Sequence, residues 1–252
     1  MKALSESRES PATSVVDEII RRHYPTDRHP YRMFEQAVHE KLPAGGVIVD
    51  AGCGRHAEVL LEFSQRARLA VGLDMVDCRV KGVSFIRTDL TNIPLPDNFA
   101  DVVMSRSVFE HLEHPAEVYR ELNRILKPGG HLIFLTPNRW SYTSLGSSLV
   151  PNRWHPLLVR LMNGRDEADT FATHYRTNSP GAIRRLARNS GFGIDSIEPL
   201  KHYPYCLVFS PTLFRVAVMY DRIIGSREPF RWLRPCLLSV LRKQPGRANS
   251  AA

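Results

Sequence analysis

Apolar positions along this chain fall into two rhythms. Val47-Ile48-Val49, Leu69-Ala70-Val71 and Leu132-Ile133-Phe134-Leu135 are short unbroken apolar runs. Runs of that length suit strands covered on both faces. Between them the spacing turns helical. Arg55–Arg66 places Val59, Leu60 and Phe63 on one side, and His114–Leu126 does the same with Val118, Leu122, Ile125 and Leu126. Pro115 suits a first helical turn. Two further helices are expected near Val15–His23 and Tyr31–Lys41, punctuated by Pro25 and Pro30. Strands and helices alternate up to Asn138, the pattern of a parallel α/β sheet. Past that point, Ser179 caps a helix opened by Pro180 and ended by Gly191. Phe192–Ile197 and Cys236–Arg242 read as the sixth and seventh strands.

The first strand runs into an acid and two glycines, Asp50-Ala51-Gly52-Cys53-Gly54, and the second ends on Gly72-Leu73-Asp74. Glycine lets the backbone turn tightly there and lets a ligand approach where a Cβ would collide. A carboxylate at the end of the second strand is placed to accept hydrogen bonds from ribose hydroxyls. The dinucleotide fingerprint needs a third glycine, and Ala57 stands at that position. Asp50 discriminates further, because an acid ahead of the helix would repel a pyrophosphate and suit a cationic or amine-bearing ligand.

Composition narrows the class without changing the outline. At 252 residues, 43% hydrophobic and 24% charged, the chain is expected to form one globular domain. We divide it into helices at 1–45, a core at 46–138, an insertion at 139–177 and a remainder at 178–252. Cys53, Cys78, Cys206 and Cys236 have no zinc-site spacing. No apolar run reaches the roughly 20 residues needed to span a bilayer. A reduced, cytoplasmic setting is expected. The net charge of +8 is spread along the chain, with no nucleic-acid-binding module in sight.

Several ordered segments resemble the class I S-adenosylmethionine-dependent methyltransferases, over residues 30–200. Asp50–Gly54 resembles the first motif of that family, and Asp74 its ribose-binding acid. Val83–Leu90 resembles the third strand, whose Asp89 would face the adenine amino group. Ile93–Val103 resembles the approach to the fourth strand, and Lys127-Pro128-Gly129-Gly130 the turn into the fifth. Many members carry a glycine where this chain has His56. The resemblance implies a Rossmann-like, seven-stranded, mostly parallel sheet with helices on both faces and an insertion lid after the fifth strand. It implies S-adenosylmethionine as cofactor, held by Asp50, Ala51, Gly52, Cys53, Gly54, Asp74, Met75, Asp89, Leu90 and Ser105.

The expected reaction is methyl transfer to a small lipophilic or aromatic acceptor, most directly at oxygen. RNA methylation and a non-catalytic cofactor-binding role stand as alternatives. Ser105-Arg106-Ser107-Val108 replaces the motif of the family's amino-methylating nucleic-acid enzymes, so nucleic acid is disfavoured as a partner. Glu110 and His111 follow the fourth strand, where the family places acceptor-side residues. Relatives that read Glu-x-x-Glu-His there bind magnesium. Here Ser107 replaces the first glutamate, so no metal is expected. A hydroxyl acceptor needs its proton removed, which makes His111 a candidate base, with His155 and His174 as rivals.

Arg139–Thr177 carries Trp140, Tyr142, Trp154, Phe171 and Tyr175, and we expect an acceptor-binding lid there. Tyr203–Leu241 mixes apolar residues with Arg215, Arg222, Arg227, Arg231 and Arg234. That mixture fits peripheral contact with a membrane surface, a cover over the sheet, or a dimer face. A monomer and a homodimer are both open.

Overall fold

The computed structural model describes residues 11–78, 80–141, 172–204, 207, 208, 210–223 and 227–245. Seven strands form one sheet: β1 (Val47–Ala51), β2 (Leu69–Asp74), β3 (Ser84–Arg87), β4 (Ala100–Arg106), β5 (Leu126–Pro137), β6 (Phe192–Leu200) and β7 (Cys236–Lys243). Their order is β3-β2-β1-β4-β5-β7-β6. The first five pair in parallel, and β7 runs antiparallel to both β5 and β6. This is the expected doubly wound, mostly parallel sheet. The order reverses at β1 and β4, the switch point where open α/β sheets leave a crevice at the strands' carboxyl ends.

Helices cover both faces. On one, Phe34, Val38 and Leu42 at α2 (Pro30–Lys41) pack with Leu60 and Phe63 of α3 (Glu58–Ser64) on Ile48, Val102, Met104 and Ile133. On the other, Val118, Tyr119 and Leu122 of α4 (Pro115–Ile125) and Ile183 and Leu186 of α5 (Pro180–Asn189) pack on Val49, Leu73, Val103 and Phe134. Strand side chains alternate between faces, so these lists give the direction of every neighbouring position. A third, smaller core joins α1 (Pro11–His23) to α6 (Pro211–Ile223) through Val16, Phe214 and Val218.

The first helix starts at Pro11 and not near Val15, and three boundaries near the strands differ more informatively from the sequence reading. The helix expected at Arg55–Arg66 starts only at Glu58, because Gly54 (φ +67°) and Ala57 (φ +43°) are both left-handed and hold Arg55–Ala57 in a turn. The Lys127–Gly130 turn lies inside β5: Ala100 pairs with Leu126 but Val102 with His131, so β5 bulges there around Gly129 at φ +80°. β6 runs on to Leu200 beyond the expected Ile197, paired with β7 along its length. Most of the aromatic insertion at 139–177, His155 included, lies outside the described residues. No helix among the described residues is long and apolar enough to cross a membrane.

Candidate functional site

The turn after β1 is held by its neighbour strand. Gly52 and Cys53 both donate their N–H groups to Leu73 O, at 2.8 and 3.1 Å. Gly52 adopts φ +88°, and a Cβ there would sit well under 3.0 Å from Val108 Cγ2. Gly54, also left-handed, faces open space: an added Cβ would meet nothing within 4 Å. The first glycine is thus dictated by packing against the loop after β4. The second leaves bare backbone at the cleft. Gly72 adds a third constraint, since its Cβ would fall 2.7 Å from Cys53 Sγ.

Asp74 braces this turn. Its Oδ2 accepts from Gly54 N at 2.7 Å and its Oδ1 from Val76 N at 2.9 Å. Each carboxylate oxygen has further acceptor capacity, which a vicinal diol could use. Met75, next to it, is exposed, and Leu90 is buried. Asp89 is exposed and accepts from Thr91 N at 2.8 Å. Ser105 donates to Ala51 O at 2.6 Å, which ties β4 to the turn. Burial pushes the Cys53 thiol well up, so it stays a neutral packing group.

Asp50 carries a strong electrostatic signal. It is buried, 5% exposed, on the α2/α3 face beside Ile48. Burial pushes its carboxyl up to about 7, with Arg106 lowering and Asp74 raising it. A cation brought to this position would relieve that cost. Asp50, bare Gly54 and Asp74 therefore match an amine- or sulfonium-bearing nucleoside, the cofactor that the resemblance implies.

A second group lies past β4, on the α4/α5 side. Glu110 sits in a 3₁₀ turn, Phe109–His111, and accepts from Thr136 Oγ1 at 3.2 Å. Asn178 donates to the same Thr136 oxygen at 2.6 Å. Burial raises the Glu110 carboxyl above its ordinary range, against the lowering effect of His111. His111 Nδ1 lies 3.0 Å from Ala172 O. A carbonyl only accepts, so Nδ1 carries a proton, and Nε2 lies 4.0 Å from Glu110 Oε1. His174 and Tyr175 donate their backbone N–H groups to Glu110 O, at 2.8 and 3.2 Å. Glu110, His111 and His174 are thus brought together, with the exposed His174 side chain at the rim. No group of three or more potential metal-binding side chains occurs among the described residues.

A third group escaped the sequence reading. Arg106 ends β4 and lies 4.4 Å above the ring centroid of Tyr31, in the first turn of α2. Its neighbours His29 and His202 have ring centroids 5.0 Å apart, and His202 stacks on Tyr203 at 4.6 Å. Burial pushes His202 down to about 4 and lowers His29 as well, so both rings are neutral at pH 7. One signal was available: Arg106 is the charged member of the alternating series Val102, Met104, Arg106, whose other two side chains are buried and apolar.

A family model described as "Methyltransferase domain" matches residues 21–197. A probable S-adenosylmethionine-dependent methyltransferase of Mycolicibacterium smegmatis is 32% identical over 150 residues, 55% of this chain and 56% of that protein. The chain thus spans only a little over half the length of that relative. The ubiquinone biosynthesis O-methyltransferase of Methylococcus capsulatus is 30% identical over 189 residues, 70% of this chain and 75% of that protein. Among solved structures, an S-adenosylmethionine-dependent methyltransferase from Mesorhizobium loti superposes with a TM-score of 0.55 at 22% identity. It covers 86% of this chain and 99% of its own.

Proposed function

The chain belongs to the S-adenosylmethionine-dependent methyltransferases, and from that premise we propose that it methylates a small lipophilic or aromatic acceptor, at oxygen. The carrying observation is the placement of two separate polar groups at the carboxyl ends of adjacent strands. Asp50, Gly54 and Asp74 mark the cofactor half, and Glu110, His111 and His174 mark the acceptor half. Similarity to a ubiquinone biosynthesis O-methyltransferase supports oxygen as the methylated atom.

The bound cofactor supplies a methyl group on a positively charged sulfur. In this reading Asp74 holds the ribose diol, Asp89 faces the adenine side, and Asp50 faces the cationic methionine end. Met75 and Leu90 flank the nucleoside, while Ala51, Cys53 and Ser105 shape the turn beneath it. The chain's main contribution is to hold the acceptor atom in line, and such positioning alone can supply several kcal/mol. His111 Nε2 is the atom that takes the acceptor proton, with the Nδ1 bond to Ala172 O orienting the ring and Glu110, 4.0 Å away, stabilising the imidazolium that forms. Incubation with methyl-labelled S-adenosylmethionine and a panel of phenols, catechols and aliphatic alcohols tests the reading. Label appearing in an ether product is expected. Label confined to nitrogen or carbon products would overturn it.

The ribose role has its own check. Asp74→Ala should weaken the cofactor and its demethylated product, S-adenosylhomocysteine, alike. The expected loss is roughly tenfold to a hundredfold, the worth of charge-assisted hydrogen bonds. Unchanged calorimetric affinities would exclude the role.

A second reading concerns the surface. α6 buries Phe214, Ala217 and Val218 but leaves Val216 61%, Met219 60% and Ile223 52% exposed. Phe230 and Trp232 are exposed close by in sequence, among Arg227 and Arg231. An apolar stripe flanked by arginines is complementary to an anionic membrane surface. Co-sedimentation with phosphatidylserine-containing liposomes at low salt, lost at high salt, is the expected result. Equal recovery with neutral liposomes, or none with either, would leave this face to a partner helix or a second copy.

A further inference from the structure

We propose that Arg106, stacked on Tyr31, is an anion-binding subsite for the acceptor, and that the acceptor carries a carboxylate near its methylated atom. The inference rests on the methyltransferase reading and specifies its substrate class.

Position comes first. Asp50 on β1 pairs with Met104 on β4, and both side chains lie on the α2/α3 face. Arg106 follows Met104 by two residues, so it lies on that same face, one step further out of the sheet. The nucleoside end of the cleft is on the other side of Asp50, at Gly54 and Asp74. Arg106 therefore stands on the β4 side of Asp50, at the strand end from which the loop to Glu110 and His111 leaves.

The state of its guanidinium comes second. Its face is occupied by the Tyr31 ring at 4.4 Å, which leaves the in-plane N–H donors for another partner. Among the described residues, no carboxylate oxygen comes within 4.0 Å of it. A structural arginine in this protein looks different. Arg124 donates to Glu121, Asp97, Ile93 O and Leu95 O, all at 2.7–2.9 Å. Arg106 has the stacking that fixes a planar fork, and lacks the acceptor that the fork is shaped to take.

The surroundings come third. His29 and His202 are held neutral by burial and bring no competing charge. Asp50 and Glu62 are both near enough for Arg106 to favour their ionised forms. A cationic cofactor would engage Asp50 and leave the arginine beside a positive sulfur. Two cations in one cleft repel, and a carboxylate placed between them removes that cost, whether it is the acceptor's or the cofactor's own, which the Arg106→Gln affinity for S-adenosylhomocysteine separates. A planar, bidentate carboxylate fits the guanidinium better than an alcohol or amide does.

Matched carboxylate and carboxamide pairs decide the matter: benzoate against benzamide, and octanoate against octanamide. Binding is read by saturation-transfer NMR, with and without S-adenosylhomocysteine. In the wild type at least one carboxylate should bind tenfold or more tighter than its amide. Arg106→Gln should erase that preference, and Arg106→Lys should retain only part of it. Affinity of both variants for S-adenosylhomocysteine should stay within about threefold of wild type, with unchanged thermal midpoints. Equal binding of every pair, or an intact preference in Arg106→Gln, overturns the proposal. So does loss of S-adenosylhomocysteine affinity in Arg106→Gln, which would assign the arginine to the cofactor's own carboxylate. A wild type that takes up no S-adenosylhomocysteine would instead overturn the methyltransferase reading. The preference measured without cofactor would then still decide the subsite.

Discussion

Gly52→Ala is expected to lose much folding stability together with cofactor binding, while Gly54→Ala loses binding with only a small loss of stability. The two glycines share a left-handed backbone, so the strain of a Cβ at positive φ is common to both, about 1–2 kcal/mol. They differ in what surrounds them. The new methyl at position 52 collides with Val108, which belongs to the loop carrying Glu110 and His111. Forcing a methylene into a packed place adds about 1–3 kcal/mol and moves the neighbour. A combined loss of about 3 kcal/mol should shift a thermal midpoint clearly. At position 54 the methyl enters open space, and only a bound ligand would meet it. Calorimetry beside thermal melts separates the outcomes. Equal loss of stability in the two variants would refute the division of labour.

Affinity for S-adenosylmethionine should fall as pH is lowered below neutrality. Asp50 titrates near 7 because burial disfavours its charged form. Bound cation favours the ionised carboxylate, so binding below pH 7 must expel a proton, and affinity falls by up to about tenfold per pH unit. The sign for folding is the opposite. The folded protein holds a proton that the unfolded chain releases near the ordinary carboxylate value. Without cofactor, this group therefore gives stability at low pH and loses it as pH rises through about 7. Asp50→Asn should flatten both profiles. A cofactor affinity constant from pH 6 to 8 in the wild type would remove Asp50 from the site.

Why some of this was legible in the sequence follows from how local each signal is. Asp50–Gly54 and Asp74 sit at strand ends that betray themselves by apolar runs, and the turn between strand and helix needs glycine whatever surrounds it. The start of α3 misled because Ala57 takes a left-handed backbone that its residue type does not advertise. Lys127–Gly130 was recognised as a turn, yet only pairing with β4 shows that the strand continues through it as a bulge. The Arg106 group was illegible for a different reason. Tyr31, Arg106 and His202 meet only after α2, the end of β4 and the segment following β6 are folded together. No spacing rule connects positions so far apart. Ser105-Arg106-Ser107-Val108 was read for what it excludes, while the arginine in it stacks on Tyr31 and carries the proposed carboxylate subsite.

The strand order has a consequence for how the molecule is assembled. Among the described residues, β6 touches the sheet only through β7, and β7 follows it as the last strand. Until β7 is synthesised and slides in between, β5 is an open edge and β6 has nothing to pair with. Open edges of that kind invite pairing with other chains. The segment leading into β7 is pinned as well, since Asn138, just past β5, donates to Trp232 O and Arg234 O at 2.6 and 2.9 Å. The half of the protein that would receive the acceptor is therefore closed from the carboxyl-terminal end. A nascent chain can complete its cofactor turn well before it can shut that side against aggregation.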